Sequence, residues 1–435
     1  MTHRSLRLVI GLVAIIVFAW AMIHSGRVAM ARIFLKYSTT VVNTSPADAM
    51  AAANSSLQST PNDPEAHYTR GAVARELQDA QVALAEFDRA VSLRPRDYYL
   101  WIELGLARDD VGDQTGALNA YNEALRLAPF YAQPRWLRGQ LLFRMRRYDE
   151  AFADLRESVK SNPEYYPAFI DLAWGASRKD SALTEQLIQP QTDQAHAALA
   201  EFYAKHNVGD QTIIHLRALT TINSELRRNI VRDLQDAGSL KYAFAVWSNN
   251  WEPDISKPMI FDGGFEGTLN IDSSGFGWHL ATQDPGVNFS LDTAQAQSGQ
   301  RSLRITLTGH PSPSSELVTQ TVLLEPSKHY KLNCFAKTTN TVTGGPFVIV
   351  VKDAKTGQVL AKSNEIPTGT QPWQSFSVAF ETGPATTAIR YVLQREECTT
   401  SPCPVFGTIN LDSFSIMVND PVNAKTETPS TGAAK

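Results

Sequence analysis

A repeat of 34 residues constrains the fold of this chain more than any other feature of its sequence. Five positions of the first clear repeat carry small residues, an aromatic residue or proline, and they are Gly71, Ala83, Phe87, Ala90 and Pro95. The same positions one and two periods later are Gly105, Ala117, Tyr121, Ala124 and Pro129, then Gly139, Ala151, Leu155, Ser158 and Pro163. A constant period of this length is typical of stacked helical hairpins, because one hairpin cannot bury its apolar face alone.

The residue types at these positions have a physical reason. Glycine and alanine allow two antiparallel helices to approach closely, and the large side chain fills the space between neighbouring hairpins. Proline lacks an N–H group and therefore ends the second helix of each hairpin. We expect three hairpins, at 64–97, 98–131 and 132–165, preceded by a half-unit in an array that occupies residues 31–165.

Three segments resemble the tetratricopeptide-repeat (TPR) family: WIELG at 101–105, ALAEFDRAVSLRP at 83–95 and ALNAYNEALRLAP at 117–129. The resemblance implies an all-α superhelix whose concave groove, lined by the first helix of each hairpin, binds a partner protein. The residues that map to this groove are Tyr68, Arg75, Tyr99, Ile102, Asp109, Trp136, Gln140 and Phe143. The set lacks the Lys/Asn/Arg pattern that clamps a C-terminal carboxylate, so we do not expect that class of partner. Simple packing of Trp136 and Phe143 against the next helix is the alternative.

The period weakens after residue 165. Glu185 stands where a small residue is expected, although apolar side chains still recur at helical spacing as far as residue 248. We interpret 166–248 as degenerate TPR-like helices and the segment NNWEPDISKP at 249–258 as a linker.

Residues 259–418 form short runs of alternating apolar and polar side chains, separated by Gly, Pro, Ser and Asn. This pattern predicts an all-β jelly-roll sandwich. The motifs FDGGFEG at 261–267, SGQRSLRI at 298–305 and LDSFSI at 411–416 resemble carbohydrate-binding modules of the family 4/9 type. The resemblance implies a galactose-binding-like fold and a polysaccharide ligand.

The same resemblance implies two sites. Glu266 and Asp412 match the carboxylates of a structural calcium, a cation that prefers such ligands; the alternative is that both are solvated turn residues. Sugar binding requires aromatic rings with polar groups nearby. The candidates are Trp278, Phe289, Trp373, Arg390, Tyr391 and Gln394. Packing inside the sandwich is the alternative for Trp278 and Trp373.

The N-terminal segment is strongly apolar. Residues 8–23 carry no charge, and as a helix they would measure about 24 Å. Together with flanking residues this length predicts a single-pass membrane anchor within residues 1–30, with the N-terminus cytoplasmic and the bulk of the chain periplasmic or extracellular. A signal peptide cleaved near Ala29-Met30-Ala31 is the alternative.

The cysteines bear on this orientation. Cys398 and Cys403 close the segment CTTSPC, which predicts a disulfide loop formed in an oxidising compartment. Metal binding by the two thiols is the alternative, but further ligands are lacking nearby. Cys334 stands in an apolar run and is expected to be a buried thiol.

Composition and motifs restrict the function. The 435 residues have a formal net charge of −4, so nucleic acid is not an expected partner. The sequence contains no H-E-x-x-H, G-x-S-x-G or P-loop motif, which indicates a non-enzymatic protein without a required cofactor; a cryptic glycoside hydrolase is the alternative. We expect a bacterial membrane scaffold for polysaccharide assembly or export, or alternatively an assembly factor for a membrane protein complex, with the sandwich as a docking domain. The tail at 419–435 is expected to be disordered.

Overall fold

The computed structural model describes residues 3–269, 275–309, 316–398 and 403–419. The chain forms two compact units, Met1–Gln191 and Thr192–Lys435. The first unit is helical, and the second combines helices with two β-sheets. The tail expected at 419–435 lies, apart from Asn419, outside the described residues.

The first unit contains helices joined by short turns, with one 3₁₀ turn at Pro163–Tyr165. The helices are α1 (His3–Val41), α2 (Pro46–Ser59), α3 (Pro64–Glu76), α4 (Ala80–Leu93), α5 (Tyr98–Asp110), α6 (Gln114–Leu127), α7 (Ala132–Arg144), α8 (Tyr148–Ser161), α9 (Tyr166–Ala176) and α10 (Ser181–Ile188). The four helices α3 to α6 each begin after an aspartate whose carboxylate accepts a hydrogen bond from a main-chain N–H of the first turn, as expected for N-caps. These aspartates are Asp63, Asp79, Asp97 and Asp113.

The repeat glycines lie where the two helices of a hairpin touch. A Cβ atom placed on Gly105 would lie 2.5 Å from the ring of Tyr121 in the partner helix. The corresponding distances are 3.1 Å from Gly71 to the ring of Phe87 and 2.8 Å from Gly139 to Leu155. A side chain does not fit at this contact, so the predicted reason for the small residue is correct.

The first hairpin is complete, and the half-unit expected before residue 64 is wrong. Helix α1 runs without interruption for 39 residues. Its C-terminal half buries Ala31, Leu35 and Ser38, and the Ser38 hydroxyl donates a hydrogen bond to the carbonyl oxygen of Ala49 in α2 over 2.8 Å. Helix α1 therefore supplies the first helix of a hairpin whose second helix is α2, and the boundary expected at residue 30 falls inside one helix.

Helix α1 is also long and apolar enough to cross a membrane, by length and composition. Its large apolar side chains from Ile10 to Ile23 are exposed, whereas one face of its C-terminal half buries Ala31 and Leu35. One helix thus joins an apolar segment to the repeat array with no intervening loop.

We predict opposite effects for two Gly→Ala substitutions in the array. Gly105→Ala forces Cβ into Tyr121 and should lower the free energy of unfolding by about 1–3 kcal/mol. Gly175→Ala in α9, where a Cβ meets nothing within 4 Å, should raise it by up to about 1 kcal/mol through helix propensity. Urea unfolding of both variants measures the difference, and destabilisation of equal size would contradict the packing role of Gly105.

The second unit begins with four helices, α11 (Asp193–Lys205), α12 (Gly209–Ala218), α13 (Ser224–Asp236) and α14 (Leu240–Ser248). The strands that follow are β1 (His279–Leu280), β2 (Val287–Asp292), β3 (Ser302–Gly309), β4 (Glu316–Leu323), β5 (His329–Thr343), β6 (Phe347–Asp353), β7 (Val359–Lys362), β8 (Gly369–Glu381), β9 (Ala388–Arg395) and β10 (Val405–Val418). They form two antiparallel sheets in the orders β1-β4-β9-β6-β7 and β2-β3-β10-β5-β8. Apolar side chains from both sheets form one core, which confirms the predicted β-sandwich.

The four helices pack against the sandwich. Phe276 lies among them, with its ring centroid 5.1 Å from that of Phe244 and 5.8 Å from that of Trp247 in α14. Leu323 at the end of β4 and Ala388 at the start of β9 join the same buried cluster. Residues 166–248 are therefore not one continuation of the repeats, because the segment from Thr192 onward belongs to the compact unit of the sandwich.

Two histidines meet in the hairpin of α11 and α12. The Nδ1 atoms of His196 and His215 are 2.9 Å apart, and the His215 ring is buried parallel to that of Tyr203. Burial, together with the neighbouring His196, lowers the pKa of His215 from 6.5 to about 4. A neutral His215 is thus part of the folded unit.

This shift predicts a pH-dependent stability. Between pH 6.5 and about 4 the unfolded chain binds a proton at His215 that the folded chain does not, so stability falls as the pH falls through this window. The slope from this group is at most about 1.4 kcal/mol per pH unit. Urea midpoints at pH 7 and pH 5 should differ less in His215→Gln than in the native chain; equal pH dependence would contradict the assignment.

Candidate functional site

The first helices of the hairpins carry the predicted groove residues at different depths. Ile102 in α5 is fully buried, with 0% of its surface exposed, so its assignment to the groove lining is wrong. It lies on the side of α5 that faces the core. The other seven are half-buried or exposed, and Tyr99 is the most accessible at 38%.

The charged groove residues are paired within the array. Arg75 Nη1 lies 2.5 Å from Oε2 of Glu103, a buried residue of α5, and the guanidinium sits 5.6 Å from the centroid of the Phe87 ring. Asp109 forms an ion pair with Arg144 of α7. The sequence interpretation missed Glu103 and Arg144, because these partners lie 28 and 35 residues from the residues they neutralise.

The tyrosines of the groove form a pair. The hydroxyl oxygens of Tyr68 and Tyr99 are 3.4 Å apart, and their ring centroids are 5.8 Å apart. The hydrogen bond from Tyr68, with burial as a further cause, raises the pKa of Tyr99 well above its ordinary value. The Tyr99 side chain therefore remains a neutral hydrogen-bonding group at physiological pH.

Trp136 and Phe143 contact neighbouring aromatic residues. Trp136 stacks on Tyr165 with ring centroids 4.8 Å apart, and Phe143 meets Tyr148 at 5.3 Å in a T-shaped contact. These contacts agree with the packing alternative, yet both rings remain half-exposed. They share with Tyr68, Tyr99 and Gln140 an uncharged, aromatic-rich surface, which we call the groove surface.

Two of the predicted sugar-stacking residues are wrong. Trp278 and Tyr391 are buried in the core of the sandwich. The Trp278 indole N–H donates to the carbonyl oxygen of Asp262 over 2.9 Å, and the Tyr391 hydroxyl donates to Oε1 of Gln320 over 3.0 Å. Neither ring face is open to a pyranose, and the core alternative holds for Trp278.

The other four sugar candidates do not come together. Phe289 on β2 packs partly into the core, and Trp373 lies half-buried on β8 of the same sheet. Arg390 and Gln394 lie on β9 in the opposite sheet, where Arg390 pairs with Glu316 at 3.1 Å. The predicted set therefore does not define one binding surface.

Glu266 and Asp412 hold one turn of the sandwich. Glu266 Oε1 accepts hydrogen bonds from the main-chain N–H groups of Gln300 and Arg301, at 2.8 and 3.1 Å. Asp412 is fully buried, and its Oδ2 accepts from the N–H groups of Gln297 and Ser298, at 2.8 and 3.2 Å. Both carboxylates thus clamp the turn at 297–301.

This arrangement bears on the predicted calcium. The carboxylate oxygens face N–H donors, whereas calcium requires further oxygen ligands around it. Within the described ranges no three His, Cys, Asp or Glu side chains form a group suited to a metal ion. The two carboxylates hold the turn through main-chain hydrogen bonds, and calcium stays a prediction.

Cys398 and Cys403 are joined in a disulfide, with their Cα atoms 6.1 Å apart. Buried Arg395 donates to the carbonyl oxygens of Cys403 and Pro404 at 3.1 and 3.3 Å, and burial lowers the pKa of this guanidinium. The residues between the cysteines, 399–402, lie outside the described ranges. Cys334 is buried, and burial raises the pKa of its thiol.

The clamp generates a prediction for the stability of the sandwich. Asp412→Ala removes a buried carboxylate that accepts from the N–H groups of Gln297 and Ser298 and should lower the free energy of unfolding by about 3 kcal/mol, while Glu266→Ala at the exposed end should cost about 1 kcal/mol. Melting in EDTA and in calcium measures both effects. A midpoint that rises with calcium only when Glu266 and Asp412 are present would establish the metal site instead.

Comparison with known proteins identifies the repeats. The sequence model of the tetratricopeptide repeat matches residues 42–98 and 102–166. No curated protein matches the chain.

Among solved structures, a crystal structure of MamA is 21% identical, covering 31% of this chain and 79% of its own, with a TM-score of 0.30. MamA from Desulfovibrio magneticus RS-1 is 20% identical; the match covers 44% of this chain and 98% of the MamA chain, with a TM-score of 0.33. YrrB, described as a TPR protein with an unusual peptide-binding site, is 17% identical; the match covers 37% of this chain and 88% of the YrrB chain, with a TM-score of 0.31. On the repeat match and the helical hairpins that it covers, the first unit of this chain carries tetratricopeptide repeats.

Proposed function

We propose that the chain is a non-enzymatic, membrane-anchored scaffold that binds a partner protein through the groove surface. The observation that carries this proposal is the match of residues 42–98 and 102–166 to a repeat used for protein interaction. Tyr68, Tyr99 and Trp136 lie on successive first helices, where each keeps accessible surface and Tyr68 contacts Tyr99.

The pairing of charges in the groove favours one chemical class of partner. Arg75 and Asp109 are neutralised by Glu103 and Arg144, so the groove presents rings and one amide rather than a net charge. Such a surface favours an uncharged segment that offers apolar side chains and main-chain amides. A C-terminal carboxylate or a charged peptide would find no unpaired counter-charge among these groove residues.

Helix α1 supports the membrane anchor. It continues without a break from the exposed apolar segment through Ala31, which is buried in the first hairpin. Cleavage of a signal peptide near Ala31 would cut a helix that the fold uses, so an uncleaved anchor is favoured. The disulfide of Cys398 and Cys403 suits an oxidising compartment and supports the proposal that the bulk of the chain lies in the periplasm or outside the cell.

Polysaccharide binding is left out of this proposal, because Trp278 and Tyr391 are buried and the remaining candidates are divided between the two sheets. This favours an assembly factor for a membrane protein complex over a role in polysaccharide export. The sandwich then serves as a second protein-docking domain.

We predict that Tyr99→Ala weakens partner capture about tenfold, because exposed tyrosines in a groove often contribute 1–2 kcal/mol or more to binding, roughly a tenfold change. The measurement is affinity capture of the tagged full chain from membranes, with quantification of each co-purified protein. The Tyr99 hydroxyl also hydrogen-bonds to buried Glu103, so the urea midpoint of the variant is measured beside capture to separate a lost partner contact from lost stability.

Arg126→Ala is the matched control. Arg126 is exposed on α6, the second helix of its hairpin, and pairs only with Glu123 across the surface, so its loss should change neither fold nor capture. Equal capture by the native chain, Tyr99→Ala and Arg126→Ala would contradict a role of the groove surface in binding.

A further inference from the structure

The turns between successive hairpins lie along one edge of the array, because consecutive helices alternate in direction. These turns are residues 60–63, 94–97 and 128–131, and we call them the turn edge. Each later turn contacts a residue at the start of the helix that follows the turn before it. Arg94 Nη1 lies 3.8 Å from Oε2 of Glu65, and the rings of Tyr98 and Tyr131 are 4.9 Å apart.

Helix α1 brings the turn edge to the end of its apolar segment. Arg27 donates to the carbonyl oxygen of Ser59 over 3.0 Å, and Arg32 pairs with Asp63 at 3.2 Å. Arg27 follows Ile23 by four residues, which is about 6 Å along a helix. The first turn therefore lies beside the point where α1 would leave the hydrocarbon of a membrane.

The third turn departs from the repeat in a way that the fold does not require. Phe130-Tyr131 replace the Arg96-Asp97 of the second turn. Asp97 caps its helix by accepting from a main-chain N–H, whereas Tyr131 makes no side-chain cap. The substitution gives up a stabilising hydrogen bond and leaves Tyr131 57% exposed.

Phe130 is the stronger anomaly. It is 87% exposed, more than any other large apolar side chain in the described part of the chain, including those of the apolar segment of α1. A ring this open, next to a tyrosine, is costly in water but typical of the aromatic belt at a membrane surface.

We propose that the turn edge lies on the membrane that α1 spans and that Phe130 and Tyr131 insert into its lipid–water interface, an inference that rests on the proposed anchoring. The occupant is a lipid surface rather than a second protein because the edge is continuous with the apolar end of α1. Exposed Arg96 on the adjacent turn suits the phosphates of lipid headgroups, while Arg94 pairs with Glu65 and Asp97.

The test uses the full chain in liposomes of phosphatidylethanolamine and phosphatidylglycerol. Phe130→Cys is labelled with a nitrobenzoxadiazole fluorophore, since Cys334 is buried and the other two cysteines form a disulfide. Thr115→Cys is the matched control, because it is exposed at the start of α6 and lies at the opposite edge of the array. Lipids with a nitroxide near the headgroup should quench most of the fluorescence at position 130 and leave position 115 unchanged.

The outcomes separate this inference from the proposed anchor. Alkaline extraction first shows whether the chain stays in the liposomes, and a chain that is washed off overturns both. A retained chain with equal, water-like emission at positions 130 and 115 keeps the anchor but overturns the membrane contact. Emission at position 130 that changes only when membrane proteins are added assigns the turn to a protein partner and overturns it as well.

Discussion

The array depends on the contact between a glycine and a large side chain within each hairpin. Gly105 against Tyr121 sets how closely two helices approach, and the equivalent contacts at Gly71 and Gly139 repeat it. Because a similar contact recurs in these three hairpins, each presents a similar surface to the next and they stack in a similar way. The positions of the groove surface and of the turn edge both follow from this repetition.

The repeats were predictable because a 34-residue period records this contact directly in the sequence. The part that helix α1 takes in the first hairpin was not predictable, because its C-terminal half carries no repeat signature and buries only small or aliphatic side chains such as Ala31 and Leu35. The helices from Thr192 to Ser248 were predicted as helices but assigned to the repeat array, whereas they belong to the compact unit of the sandwich. Helical periodicity shows which face is apolar and does not show which surface covers it.

The candidate site was predictable to a similar degree. Spacing located the first helices, but it does not show how far neighbouring elements cover each side chain: Tyr99 and Ile102 are neighbours on one face of α5, yet Ile102 is buried and Tyr99 remains accessible. In the sandwich, Tyr391 was predicted as a sugar ligand, and Trp278 as a ligand or a core residue. Contacts with distant segments, such as the pairing of β9 with β4, bury both rings. Ion pairs such as that of Arg75 with Glu103 are equally non-local, and spacing alone does not reveal them.

Under the proposed anchoring, the uninterrupted course of α1 would couple the repeat array directly to the membrane-spanning segment. A transmembrane helix adjusts to bilayer thickness mainly by tilting, at a cost of fractions of a kcal/mol per Å of mismatch. With no hinge between the apolar segment and the first hairpin, any such tilt rotates the groove by the same angle. The orientation in which a partner is presented would thus vary with the thickness of the lipid around this one helix.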